Sequence, residues 1–151
     1  MCIVKMVNDS YENHSSIFNL VNYVLTDKRW KRPVRFYGGY NVEVFKAAEQ
    51  MMLVKEYYHK TDKRMMRHIV VSFEDDISPY NAYVLAWQIA AYYADRFQIV
   101  FGVHEDAGNI HIHLVFNTVS FVDGLKYSGE RSDLVNFKHY VNYVYDSYFK
   151  G

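Results

Sequence analysis

The segment from Val103 to Asn117, which reads VHEDAGNIHIHLVFN, constrains the fold more strongly than any other part of the chain. Apolar residues fill the chain on both sides of Ala107-Gly108. This pattern predicts a β-hairpin with strands over Phe97–Asp106 and Asn109–Phe121, because a glycine at the turn supplies the backbone freedom that a two-residue tip needs. A hairpin at this point requires an antiparallel strand pair in the sheet.

Three of the seven histidines lie in this hairpin. His111 and His113 are two residues apart, so both point to one face of their strand. A two-residue tip places His104 opposite His111, and opposed residues share a face with Cβ atoms about 5 Å apart. A single histidine here is best explained as an ordinary strand residue. Three imidazoles on one face favour a divalent metal site with open positions for substrate, and by ligand type they suit Zn, Mn, Co or Ni.

Length and composition fit one domain, residues 1–151, with a substantial core. The one cysteine, Cys2, excludes an internal disulfide framework and favours a reducing cytoplasm. The N-terminus has no apolar run long enough for a signal peptide or a membrane span, so no membrane association is expected.

Net charge is zero, but its distribution is uneven. Residues 1–68 carry 12 Lys and Arg against 7 Asp and Glu, whereas residues 69–151 carry 5 against 10. This asymmetry is a weak indication of a polyanion-binding surface in the first half. Two solvated faces of opposite sign explain it equally well.

A helix is predicted from a cap at Ser15 or Ser16 to about Thr26. Its buried face follows helical spacing through Ile17, Leu20, Val21 and Val24. Tyr23 lies outside this arc, on the polar side. Periodicity alone makes Tyr23 an exposed or half-buried aromatic, although a tyrosine presented in this way can also act as a nucleophile.

A basic segment follows this helix. It contains five cations and one tryptophan, which are Lys28, Arg29, Trp30, Lys31, Arg32 and Arg35. Cations neutralise phosphates and an indole can stack on an unpaired base, so this segment is a candidate DNA contact. Such a run can also be a solvated loop.

The remaining pattern alternates strands and helices. Cys2–Val7 and His68–Phe73 are predicted strands. Helices are predicted from Asn41 to about His59, from Ser78-Pro79 to about Asp95, and from a cap at Ser132 to about Phe149. With the hairpin, this order predicts an α+β domain in which helices pack on a mainly antiparallel central sheet.

The hairpin resembles the signature of the relaxase/mobilisation nuclease family of HUH endonucleases, which reads H-x-D, H-x-H and a following Asn. The matching residues are His104, Asp106, His111, His113 and Asn117. The segment TVSFVDGLKY resembles the N-S-V-S-F…G-x-K-Y continuation of that family, and HIVVSF resembles its Y-H-x-x-x-S-F strand. LVNYVLTD is similar to its nucleophile segment and contains Tyr23. The resemblance runs from about Ser15 to Tyr127. One departure is Asn41-Val42, where the family often has Asn-Cys.

This resemblance implies a palm-like HUH sheet of the ferredoxin or RRM type, with the histidines on its central strands. It implies a metal-dependent nuclease, with Mn²⁺ or Mg²⁺ favoured, in which Tyr23 attacks single-stranded or hairpin DNA at an origin of transfer. The product is a 5′-phosphotyrosyl link that is later rejoined. In this family Asp106 would orient a ligand imidazole or accept a proton. From spacing alone, Asp106 could equally be a turn residue at the hairpin tip. Accessory mobilisation and coupling proteins are the implied partners, and the chain is either a minimal relaxase or a nuclease domain of a longer protein.

Three alternatives remain open from the sequence. A rolling-circle replication initiator or single-tyrosine transposase of the same superfamily would use a later tyrosine, Tyr143. A nucleotide hydrolase of the histidine-triad kind would need a third histidine where Val115 stands. A non-catalytic DNA-binding protein would keep the histidines as a remnant metal site. His68 either approaches the site or is an ordinary histidine at a strand end.

Overall fold

The computed structural model describes residues 1–9, 11–106 and 109–150. Its strands are β1 (Cys2–Met6), β2 (Thr26–Asp27), β3 (Arg32–Pro33), β4 (Tyr37–Tyr40), β5 (Met66–Phe73), β6 (Ile99–His104) and β7 (His111–Asn117). Its α-helices are α1 (His14–Leu25), α2 (Ala47–Tyr57), α3 (Pro79–Ala90) and α4 (Arg131–Lys150). Short 3₁₀ helices at Val44–Lys46 and Ala91–Tyr93 adjoin α2 and α3.

The central sheet has five strands in the order β1-β5-β7-β6-β4, and each neighbouring pair is antiparallel. The strands β2 and β3 form a separate two-stranded ribbon directly after α1. The prediction of an α+β domain with a mainly antiparallel sheet and packed helices is confirmed. The fold is that of an HUH-endonuclease-like domain.

The predicted strand pair is present, with β6 and β7 at the centre of the sheet. His104 pairs with His111, as the predicted two-residue tip requires, and Gly102 pairs with His113. Both strands are shorter than predicted, since they cover Ile99–His104 and His111–Asn117. The predicted tip at Ala107-Gly108 lies outside the described residues.

Helices cover both faces of the sheet. On one face α1 and α2 bury residues such as Ile17, Val24 and Met51 against Val100 and Val115. On the other face α3 and α4 pack on a larger apolar cluster that includes Phe101, Leu114 and Phe137. Because both faces are covered, β6 and β7 read as nearly continuous apolar runs, which makes the polar residues among them conspicuous.

Three predicted caps are wrong and one is confirmed. Asn13 caps α1, where its Oδ1 accepts a hydrogen bond of 2.9 Å from the Ser16 backbone N–H, so the cap precedes both predicted serines. Ser78 caps α3 with Pro79 at the first helical position, as predicted. Ser132 lies inside α4 instead of capping it.

Asn41 was predicted to cap the second helix, and this prediction is also wrong. Asn41 has a left-handed backbone with φ of 65°, and α2 begins only at Ala47. Its side-chain amide donates instead to the carbonyls of Ala94 and Phe97, at 2.7 and 3.1 Å. A tertiary contact therefore uses the side chain that local reasoning assigned to a cap. In the part of the chain that the structure describes, no helix is long and apolar enough to cross a membrane.

Candidate active site

The candidate site lies between the C-terminal half of α1 and the centre of the sheet. The missing side chain of Gly102 allows this approach. A Cβ atom placed there would lie 2.1 Å from the carbonyl oxygen of Val24 and 3.1 Å from its carbon. The backbone of α1 therefore contacts β6 directly, which brings the side chains of the two elements into one layer.

Tyr23 lies over the imidazoles in this layer. The centroid of its ring is 5.4 Å from that of His113, 5.5 Å from that of His104 and 6.1 Å from that of His68. The rings of His104 and His113 are themselves 4.2 Å apart. Tyr23 and the histidine pair, which are about 80 to 90 residues apart in the sequence, are thus in one cluster, and Tyr23 is half-buried.

The end of α1 orients His104. The last carbonyls of a helix have no partner within the helix. The carbonyl of Val24 is one of these, and it accepts a hydrogen bond of 2.8 Å from Nε2 of His104. A neutral His104 that donates from Nε2 carries its free lone pair on Nδ1. The same contact therefore docks the helix and selects the tautomer of the imidazole.

A second histidine orients His113. Nδ1 of His113 lies 2.9 Å from Nε2 of His68, and Nδ1 of His68 lies 3.3 Å from the Tyr11 hydroxyl. When His68 donates from Nδ1 to Tyr11, its Nε2 accepts the Nδ1 proton of His113. The free lone pair of His113 is then on Nε2. His68 pairs with Val115 in the sheet, so it reaches His113 along the diagonal between β5 and β7.

Burial keeps these imidazoles neutral. Desolvation lowers the pKa of His113 to about 2 and that of His68 to about 4, with neighbouring histidines adding to the effect. Desolvation also lowers the pKa of His104, against a raising contribution from its bond to Val24. The neutral imidazole is the form that binds metal, so the chemistry of this donor set fits a divalent cation.

The histidines have suitable chemistry for a metal, but the positions of their side chains do not form a set of ligands. His111 is only partly buried, and its ring lies 6.5 Å from that of His113. Among the described residues, no three His, Cys, Asp or Glu side chains converge as a set of ligands. A metal held by His104, His111 and His113 therefore requires rotation of at least one imidazole.

Asp106 lies beside His104 but does not hydrogen-bond to it. Its Oδ2 is 4.0 Å from Nδ1 of His104, which is beyond hydrogen-bond distance. The carboxylate is 45% exposed, whereas the side chain of His104 is 2% exposed. Asp106 is placed to attract a proton or a cation on Nδ1 from the solvent side.

The basic segment forms the β2–β3 ribbon and its flanks, next to Tyr23. Lys28 lies with its Nζ 4.5 Å from the centroid of the Tyr23 ring. The Arg32 guanidinium lies 5.8 Å from the ring of Trp30, whose side chain is 62% exposed. Exposed positions are also occupied by Arg29 and Lys31.

Arg35 differs from the other cations of this segment. It forms a two-point ion pair with Glu105, through Nε to Oε2 at 3.0 Å and through Nη2 to Oε1. Glu105 directly follows His104 in the chain. Arg35 therefore connects the ribbon to the end of β6, and its charge is already paired.

Tyr143 and Asn117, which the sequence pattern singled out, both lie away from Tyr23. Tyr143 is 71% exposed on α4, which packs on α3 and β1 across the sheet from the histidines. Asn117, which completes the signature, is fully buried away from Tyr23, and its Oδ1 accepts from Lys55 and from the Val119 backbone N–H. In this structure Asn117 organises the end of β7.

Comparison with known proteins identifies the family of this chain. Residues 23–148 match the family model described as Relaxase: MobA/VirD2-like, nuclease domain. Over 95 residues, or 62% of this chain, the sequence is 24% identical to Protein rlx of Staphylococcus aureus. The match spans 29% of the length of that relative. Because the family model covers most of the chain and includes both Tyr23 and the histidine hairpin, this chain belongs to the relaxase family, as a MobA/VirD2-like nuclease domain.

Proposed function

We propose that this domain nicks one strand of DNA at an origin of transfer in the cytoplasm, remains attached to it, and later rejoins it. The family supports a DNA nuclease with a general role in mobilisation. The observation that carries the finer proposal is the position of Tyr23, whose ring lies within 5.4–5.5 Å of His104 and His113. A phenol over a cluster of neutral imidazoles is a suitable nucleophile for a phosphate bound there.

In the proposed reaction, Tyr23 Oη attacks the scissile phosphorus in line. The Oη–P bond forms, the bond from phosphorus to the 3′ oxygen breaks, and that oxygen takes up a proton from water to leave a free 3′-OH. The phenol proton passes to the carboxylate of Asp106. The 5′-phosphotyrosyl ester retains the phosphodiester linkage type, so the 3′-OH can attack it to restore the strand.

A divalent metal is expected to be held by His104, His111 and His113. When bound there, it supplies charge neutralisation and Lewis acidity at the scissile phosphate. The contribution of the protein is orientation. Val24 holds His104 through its carbonyl, and His68 holds His113, so that each ring presents one defined lone pair.

Lys28 and the β2–β3 ribbon are proposed to bind the phosphates on either side of the scissile one. The ammonium of Lys28 lies 4.5 Å from the centre of the Tyr23 ring, so it can neutralise charge next to the attacking oxygen. Exposed cations along the ribbon continue this path away from the histidines. DNA and accessory mobilisation and coupling proteins are the proposed partners.

A covalent-adduct assay tests the proposal. The protein is incubated with Mn²⁺ or Mg²⁺ and labelled single-stranded oligonucleotides from DNA flanking its own gene, and a denaturing gel reports protein–DNA adducts. We expect a band that is lost in Tyr23→Phe and in His113→Ala. Tyr143→Phe is the matched control, because Tyr143 is an exposed helical tyrosine on the opposite face, and it should retain the band.

The outcomes separate the alternatives. A band that survives Tyr23→Phe and disappears in Tyr143→Phe would assign the protein to the replication or transposase branch. DNA binding without any adduct, with metal bound to the folded protein, would leave the non-catalytic DNA-binding function as the better account.

A further inference from the structure

A cavity of about 560 Å³ lies along the face of α1 that carries Phe18, Val21, Asn22, Leu25 and Thr26. It is an open cleft bordered by α1, the β2–β3 ribbon and the start of α2, including the short 3₁₀ helix before it. Its volume is within the range of sites that take small organic groups.

The cavity has an apolar floor and two exposed aromatic walls. The floor consists of the buried side chains Val21, Leu25, Ala47 and Ala48. Phe45 is 60% exposed and Phe18 is 42% exposed, although apolar rings of this size are usually buried. Such rings at the mouth of a cavity provide flat surfaces on which an aromatic ligand can stack.

The polar groups of the cavity favour a nucleotide. Lys31, Arg32 and Lys46 contribute three cations to its lining, against the single carboxylate of Glu49. Lys46 also lies 3.6 Å from Glu43 in an exposed ion pair. Excess positive charge around an apolar slot complements a base attached to an anionic backbone. The side chains of Asn22 and Thr26 add hydrogen-bonding groups that could contact the edge of a base.

The location connects the cavity to the reaction. Asn22 precedes Tyr23 in α1, and the ribbon that borders the cavity carries Lys28, which contacts the Tyr23 ring. A strand whose phosphate lies at Tyr23 and whose backbone follows the ribbon would therefore pass the mouth of the cavity.

We propose that this cavity takes one unpaired base of the bound single strand, which stacks on Phe45 and helps to select the nicking site. This inference rests on the proposed function, because it requires single-stranded DNA at Tyr23. It adds a subsite for base recognition that is separate from the histidine cluster.

The test compares oligonucleotides that differ only in their bases. Fluorescence anisotropy measures binding of the full chain to oligo-adenylate, oligo-cytidylate and oligo-thymidylate of about 12 nucleotides, and to an abasic strand of the same length. We expect at least one base-bearing strand to bind about tenfold or more tightly than the abasic strand, since stacking on an aromatic ring contributes this much per base. Phe45→Ala should remove most of that advantage and leave the affinity for the abasic strand unchanged.

Tyr57→Ala is the matched control, because Tyr57 is a 76% exposed aromatic at the end of α2 that does not line the cavity. It should retain the full preference for bases. Phe18→Ala, which alters the other aromatic wall, provides a second variant. A thermal unfolding curve is recorded for each variant to check that the variant is folded.

Other results would overturn the inference. Equal binding of base-bearing and abasic strands, or an unchanged preference in both Phe45→Ala and Phe18→Ala, would show that DNA binds without using the cavity, and would leave the proposed function intact. A dimer in size-exclusion chromatography that Phe45→Ala dissociates would assign the surface to a second copy of the chain. If no strand binds even at low salt, the proposed function itself fails, and the base subsite with it.

Discussion

Gly102→Ala should displace Tyr23, the proposed nucleophile, without changing the side chain of any proposed catalytic or metal-binding residue. The new Cβ would lie 2.1 Å from the Val24 carbonyl oxygen, whereas ordinary contact begins at 3.4 Å, so the end of α1 must move by about 1.3 Å. Overpacking of this kind costs about 1–3 kcal/mol. Loss of the hydrogen bond from His104 to Val24 adds about 1 kcal/mol. The free energy of unfolding should therefore fall by about 2–4 kcal/mol, or about 5–15 °C in Tm.

Activity should fall further than stability alone explains. A displacement of about 1 Å in a reacting group can reduce a rate about 100-fold. The rate of covalent adduct formation, measured at a temperature where the variant is fully folded, tests this expectation. Gly38→Ala is the control, because its Cβ would lie 2.4 Å from the Trp87 ring on the other face of the sheet. It should lose similar stability but keep its adduct rate within about threefold of wild type. Equal rates for Gly102→Ala and Gly38→Ala would refute the reasoning.

Three further predictions concern individual contacts. His68→Ala should weaken Mn²⁺ binding about 10- to 100-fold in calorimetric titration, and His68→Gln should recover part of the affinity. An unchanged affinity in His68→Ala would show that His68 does not orient the imidazole of His113. Burial lowers the pKa of Lys55 from 10.5 to about 7, so between these pH values the unfolded chain binds more protons than the folded one. The free energy of unfolding should therefore rise with pH across that window, by at most about 1.4 kcal/mol per pH unit. Denaturant titrations of Lys55→Met should lack this rise, and the same pH dependence in the variant and the wild type would contradict the prediction. Because Arg35 is already paired with Glu105, Arg35→Ala should change the salt dependence of single-stranded DNA binding less than Lys31→Ala does. Loss of one phosphate contact in Lys31→Ala should reduce the slope of log K against log salt by about 0.7. An equal or larger change in Arg35→Ala would contradict the prediction.

The hairpin could be predicted because its determinants are local. Alternation along a strand and the length of a turn decide which residues share a face, and the pairing of His104 with His111 follows from them. The antiparallel α+β class was predictable for the same reason. Three predicted helix caps failed. Asn13 caps α1 in place of the serines, α4 begins before Ser132, and the Asn41 side chain donates to distant carbonyls.

The roles of two buried polar groups were not resolved from the sequence. The sequence left His68 either approaching the site or at a strand end as an ordinary histidine, and its Nε2 lies 2.9 Å from Nδ1 of His113. Its place in the Y-H-x-x-x-S-F-like strand was the available signal. Lys55 lies on the core face of α2 with no exposed surface, and it donates to Asn117 Oδ1 and to the Met65 carbonyl. Helical periodicity could not predict a buried lysine, because its acceptors come from distant parts of the chain.

By itself, the sequence determined the elements that depend on neighbouring residues: the histidine hairpin, the amphipathic α1 with Tyr23 outside its apolar arc, and the basic ribbon that follows. Only the tertiary structure decided that Tyr23 lies over His104 and His113, that Arg35 is paired, and that a cavity opens beside α1. For the position of Tyr23, the physical reason is the close contact at Gly102. It joins residues distant in the chain through the absence of a side chain, and neither periodicity nor charge pattern reports which helix will occupy that space.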